Sequence, residues 1–210
     1  MKITLLHYTP LEVCVTGIRT CWQSFDKSDN GGERDLALID RVGNKNKHAS
    51  TLEHLSYNFS IQGISRVCLQ ELARHRIASL SVKSTRYTLK ELKEESPFLP
   101  LNAESKSRAE KYLVFTQNDL VDEASIAALD NLRSLLAQNI SNDIAKYALP
   151  ESYKTELVWS VNARSLQNFL HLRSGKSALW EIRALASALY DALPEQHRYI
   201  FSEKMQICEE

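Results

Sequence analysis

Long apolar runs are missing from this sequence. Nowhere in its 210 residues does an apolar stretch approach the roughly 20 residues that span a bilayer. The opening MKITLLHYTP turns polar too soon for a secretory leader, so the expected location is the cytoplasm. Net charge is missing too: 26 Lys+Arg stand against 26 Asp+Glu. That leaves no global pull toward nucleic acid or an anionic membrane, and neither is expected as a partner. Cysteine is scarce, with Cys14, Cys21, Cys68 and Cys208 only. There is no Cys-x-x-Cys and no Cys/His grouping at zinc spacing, so no metal site is expected. The four thiols read as reduced and mostly packed in the core. Cys14 and Cys21 share a face if their segment is helical. Repeats and low-complexity tracts are also lacking. With 43% hydrophobic and 25% charged residues, the chain suits one domain over 1–210 with a substantial core.

Periodicity supplies the elements. Residues 2–8 read as a strand, 11–23 as a helix, and Glu33 to about Arg41 as a second helix after the Ser28–Gly32 loop. A polar connection, NKNKHAST, follows. In 55–62, Leu55, Tyr57, Phe59 and Ile61 alternate with polar residues, the pattern of a half-buried strand. Residues 64–75 read as a helix whose last turn is Arg74-His75-Arg76, leading into a loop. The 104–116 and 118–140 stretches predict a helical hairpin, and 142–148 a shorter helix. Residues 155–162 alternate again. Asn162 then opens a helix that Gly175 can end. Another helix spans about 177–192, and a short one follows Pro194. Separated strands and clustered helices read as α+β: a central, mostly antiparallel sheet flanked by helices, in a single domain.

One stretch breaks the even charge balance. Residues 72–90, LARHRIASLSVKSTRYTLK, hold Arg74, Arg76, Lys83, Arg86, Lys90 and His75 without one acid. Ser79, Ser81, Ser84 and Thr85 are interleaved with the cations. Arg offers a planar fork of donors and Ser or Thr a single one, the set that phosphate oxygens accept. The plainer reading is a solvated basic surface or a helix end offset by cations.

A second oddity lies in ARSLQNFLHLR. On a 3.6-residue period Leu166, Phe169, Leu170 and Arg173 share a face. A guanidinium on an apolar face needs an acid, an anion or a polar ligand, or it snorkels out at the helix end. Arg164, Asn168 and His171 form a neighbouring polar stripe, suited to solvent or to the wall of a ligand groove.

Arg74-His75-Arg76, seven intervening residues and then Ser84-Thr85-Arg86-Tyr87 resemble the signature of the flavin-dependent thymidylate synthases. NARSLQNFLHLR with Trp180-Glu181-Ile182 is similar to a second block of that family, and His48, Ser50, Glu53 and His54 to a third. The resemblance implies reductive methylation of dUMP to dTMP. FAD would be the cofactor, 5,10-methylenetetrahydrofolate the carbon donor and NADPH the reductant, in a homotetramer. It implies FAD contacts at Ser50, Arg74, His75, Arg76, Val82, Asn162, Ala163, Arg164 and Asn168. It implies dUMP contacts at Glu71, Leu72, Ala73, Arg74, Ser84, Thr85, Arg86, Lys146 and Arg173. Ser84, Thr85 and Arg86 would hold the phosphate. Arg173 would be catalytic, stabilising negative charge on the uracil ring, so that its missing counter-charge would be the substrate. None of the four cysteines falls inside the blocks, consistent with a family that does not attack the pyrimidine with a thiolate. Glu71 stands where many members have Gln, Val82 where many have a polar side chain, and Lys146 where Arg is common.

Two other readings use the same residues. A phosphate- or RNA-binding module would use the cationic stretch alone, though only Tyr87 is near as a stacking platform. A nucleotide hydrolase would use Glu53 and Glu71 as metal ligands, though no further cluster of acids accompanies them.

Overall fold

A computed structural model describes residues 1–206. In chain order the elements are β1 (Lys2–Tyr8), α1 (Leu11–Trp22), α2 (Glu33–Ile39), β2 (Ser56–Ser65), α3 (Arg66–Leu72), β3 (Ala78–Val82), α4 (Thr85–Thr88), α5 (Lys90–Lys93), α6 (Ala103–Ala109), α7 (Asp119–Ala137), α8 (Asn142–Ala145), β4 (Lys154–Asn162), α9 (Ala163–Arg173) and α10 (Trp180–Asp191). The four strands form one antiparallel sheet in the order β1-β2-β4-β3, so the α+β expectation holds. The chain divides into two compact units. One comprises Met1–Ile61, Glu71–Ser81 and the chain from Val158 on; the other comprises Gln62–Gln70 and Val82–Leu157.

In the first unit the alternation of β2 does what the sequence requires: Tyr57, Phe59 and Ile61 are fully buried. Trp159 and Val161 of β4 are buried likewise, and the Trp159 ring meets Phe59 at 6.3 Å and Phe169 at 5.2 Å. On α1, Cys14 is buried while Cys21 is exposed, so the two thiols do not share an environment. Cys208 lies outside the described residues. Arg19 of α1 and Asp35 of α2 form a buried ion pair, Nη2 to Oδ1 at 2.5 Å. Burial works against the Asp35 carboxylate. Hydrogen bonds from Ser28, Arg19 and the Gly31 N–H outweigh it and bring the pKa down to about 2. The polar connection after α2 is more ordered than its sequence suggests. It winds through a wide turn, Asp40–Lys45, and a 3-10 turn, Ala49–His54, in which Leu52 is buried.

In the second unit, β2 runs past the expected start of the helix. Gly63 adopts φ +74°, which L side chains rarely tolerate, and the strand continues to Ser65. The amides of Arg66 and Val67 donate to Tyr153 O and Glu151 O at 3.1 and 3.2 Å. These are donors that a helix start leaves unpaired, so α3 begins where neighbouring carbonyls can take them. Cys68 is buried here as well.

The core of this unit is built on α7, whose Ile126, Leu129, Leu132 and Leu136 pack with Phe98 and Leu92. Asn102 and Asn118 cap α6 and α7. The expected hairpin helix over 104–116 ends at Ala109 instead. Leu113 bridges to Tyr153, and Lys154 N donates to Tyr112 O at 2.7 Å. Sheet-like pairing thus takes the backbone groups that would have prolonged the helix.

Two further expectations change. The loop expected after Arg76 contains β3, a strand of small and hydroxyl residues whose own pattern carries little signal. Gly175 does not end α9 in a left-handed conformation; Ser174 does so in a right-handed one, its hydroxyl bonded to Leu170 O at 2.7 Å.

Candidate active site

In the first unit, α9 fixes one wall of a cavity of about 660 Å³. Asn162 caps the helix, its side-chain oxygen accepting from Ser165 N at 2.8 Å. Leu166, Phe169 and Leu170 anchor one face of the helix in the core. The opposite face therefore presents Arg164, Asn168 and Leu172 to the cavity, with Arg173 at the end of the helix. The stripe thus reaches the groove through Leu172, whereas His171 does not line it. The facing wall is Arg74, His75, Arg76 and Ile77, with Glu53 from the 3-10 turn. The Arg-His-Arg motif is not the last turn of a helix: α3 stops at Leu72, and a single turn bond, His75 N to Leu72 O at 3.1 Å, carries the chain out of it. That release leaves Arg74 and Arg76 exposed while His75 turns inward.

His75 is buried and lies edge-on to Phe169 with ring centroids 4.9 Å apart. Its Nε2 lies 3.1 Å from Arg173 Nε. A guanidinium can only donate, so Nε2 is the acceptor and carries no proton. Burial, and next the Arg173 charge, pull the His75 pKa below its usual range, against a smaller opposing effect of Glu71. Arg173 Nη1 also forms an ion pair with Glu71 Oε2 at 2.6 Å. The anomalous arginine therefore has a protein counter-charge, which corrects the expectation that the substrate alone supplies it. Glu71, which stands where many family members have Gln, is committed to this pairing.

Glu53 belongs to the third block of the resemblance and is an acid that the hydrolase reading would use as a metal ligand. Here it meets Arg164 Nη1 at 2.7 Å through Oε1. Among the described residues no group of three or more His, Cys, Asp and Glu side chains is placed to hold a metal.

The other expected residues distribute as follows. Ser50 is exposed on the 3-10 turn, outside the cavity lining. Leu72 is fully buried in α3 and Ala73 is exposed. Ala163 is buried, and its N–H donates to Leu55 O at 2.8 Å. His48 lines a different cavity with Trp22 and Arg41.

The second unit carries Val82, Ser84, Thr85, Arg86 and Lys146. Val82 is exposed at the end of β3. Thr85 and Lys146 line a cavity of about 350 Å³ with Arg66, Tyr147 and Glu151. Arg86 grips Asp143 with both arms of its fork, Nε to Oδ1 at 2.6 Å and Nη2 to Oδ2 at 3.0 Å. Asn142 Nδ2 donates to Arg86 O at 2.8 Å, and the guanidinium sits 5.8 Å from the centre of the Tyr87 ring. The pairing holds the Asp143 carboxyl below the usual carboxylate range.

Comparison with known proteins agrees with the resemblance. The family model described as thymidylate synthase complementing protein matches residues 4–197. The flavin-dependent thymidylate synthase of Wolinella succinogenes is 68% identical over 201 residues, covering 96% of this chain and 97% of that one. The Helicobacter pylori enzyme of the same name is 61% identical over 204 residues, covering 97% and 98%. A crystal structure of thymidylate synthase X from Helicobacter pylori with FAD and dUMP superposes with a TM-score of 0.96 at 59% identity, covering 99% of this chain and all of the other. The chain belongs to the flavin-dependent thymidylate synthase family, and it is an enzyme of that methyltransferase class.

Proposed function

We propose that the chain, acting as one synthase domain over 1–210, methylates dUMP to dTMP with bound FAD. The carbon donor is 5,10-methylenetetrahydrofolate and the reductant NADPH, in a cytoplasmic homotetramer. Among the described residues no helix is long and apolar enough to cross a membrane. The observation that carries the reading is convergence. Two blocks about ninety residues apart in sequence line one cavity with Arg74, Arg76, Arg164, Asn168 and Arg173. A cavity of this size lies in the range of cofactor sites. Three exposed arginines with a single acid, Glu53, leave it a surplus of positive charge, suited to the pyrophosphate of a dinucleotide. Ile77 and Leu172 add apolar surface for a flat ring system. The residues present therefore fit FAD.

When bound, FAD supplies the redox chemistry that no side chain can. The protein's part is position and charge. Arg74, His75 and Arg76 with Arg164 and Asn168 hold the cofactor; Ser50, Val82, Asn162 and Ala163 complete that set by family likeness. Ser84, Thr85 and Arg86 take the nucleotide phosphate, while Glu71, Leu72, Ala73, Arg74 and Lys146 flank the nucleotide. Arg173 faces the uracil ring and stabilises negative charge as the ring carbon becomes nucleophilic. Glu71 and His75 clamp its Nη1 and Nε edge. Among the described residues its Nη2 donates no hydrogen bond to the protein, so that corner is free for substrate.

A preorganised donor of this kind is worth about 2.7–4 kcal/mol in the transition state. Arg173→Ala should accordingly retain FAD, read by its visible absorbance, and lose about 10²–10³-fold in dTMP formation. Turnover close to wild type would remove Arg173 from the mechanism.

A further inference from the structure

Arg86 is read above as the phosphate fork, yet in this structure both its arms are filled by one carboxylate. Bidentate pairing is the arrangement a guanidinium adopts with a phosphate as well. The carboxylate and an arriving phosphate therefore require the same two N–H groups. Asp143 is also drawn by Lys146, one helical turn further on, whose charge adds to that of Arg86 in stabilising the carboxylate. Both side chains of the Arg86–Asp143 pair are about half exposed, 55% and 51%, so water and salt screen the attraction and the pair can open.

We infer that Asp143 is an internal competitor for the phosphate fork. It occupies Arg86 when no nucleotide is bound, and its release sets the affinity for the 5′-phosphate. This rests on the reading of Ser84, Thr85 and Arg86 as the phosphate loop. A ligand that takes the fork must first displace the carboxylate and is weakened by the strength of that pair. A ligand without a phosphate does not compete with Asp143 and is unaffected by it. Asp143 thus scales down the advantage of a nucleotide over its nucleoside.

The test is a titration of the FAD-loaded protein with dUMP and with deoxyuridine, in wild type, Arg86→Ala, Asp143→Asn and Asp143→Glu. Arg86→Ala checks the underlying reading: dUMP binding should weaken and deoxyuridine binding should not. Asp143→Asn should tighten dUMP by about two- to five-fold, the range of an exposed ion pair, and leave deoxyuridine unchanged. Asp143→Glu, which restores a carboxylate, should return dUMP affinity toward wild type. If Arg86→Ala weakens dUMP while Asp143→Asn leaves it unchanged or weaker, the competitor role is wrong and the phosphate loop stands. If Arg86→Ala leaves dUMP affinity as it was, the loop reading fails and the inference falls with it.

Discussion

His75 accepts the Arg173 Nε–H only while its Nε2 is bare. The contact is thus a statement about protonation. The pKa of His75 is depressed relative to 6.5, chiefly by burial. A depressed value means the neutral ring is favoured, so the clamp on Arg173 is intact above 6.5 and fails as pH falls through the lower folded value. Imidazole C–H resonances of His75 should titrate with a midpoint below 6.5, and the midpoint should rise in Arg173→Ala, where one cause of the depression is gone. A midpoint above 6.5 in the wild type would contradict the depression that burial and Arg173 impose. At this scale the cations were legible in the sequence and their partners were not. Arg173 stood out because it broke an apolar face. Nothing in the order of residues indicated that Glu71 meets Arg173, Glu53 meets Arg164 or Asp143 meets Arg86. Those pairings are made by the fold, across long sequence separations.

Among the elements, α9 is the one on which the cavity wall depends. Its cap and its buried face follow from the sequence pattern, whereas its end is set by Ser174 and not by Gly175. Asn162 both ends β4 and accepts from Ser165 N. Removing that cap with Asn162→Ala should cost about 0.5–2 kcal/mol, a fall in melting temperature of a few degrees, roughly 2–4 °C per kcal/mol for a chain of this size. Because the same turn carries Arg164, FAD retention should weaken in parallel. An unchanged melting temperature would show that the cap is redundant. Strands β2 and β4 were both readable, since Tyr57 and Phe59 alternate with polar neighbours and Leu157, Trp159 and Val161 recur at every second position. By contrast β3 was not, because ASLSV has too little bulk to mark a strand and is ordered by pairing: Lys83 N donates to Glu156 O at 2.9 Å just beyond it. The extents of α3 and α6 are hidden for a related reason. Helical spacing continues in the sequence, but carbonyls and amides at 151–154 claim the backbone first.

For the molecule as a whole, the fold class came from separated strands among clustered helices, and the family from three short blocks. The two-unit organisation left no mark in composition. The central claim is that the Arg-His-Arg motif and α9 together wall a flavin site within the first unit. The most direct measurement is FAD retention through gel filtration, read by the visible flavin absorbance, for the wild type and for Arg74→Ala with Arg164→Ala. The account predicts a yellow wild-type protein and a folded but colourless double variant. A wild-type protein that FAD cannot reconstitute, or a double variant that holds FAD as firmly as wild type, would contradict it.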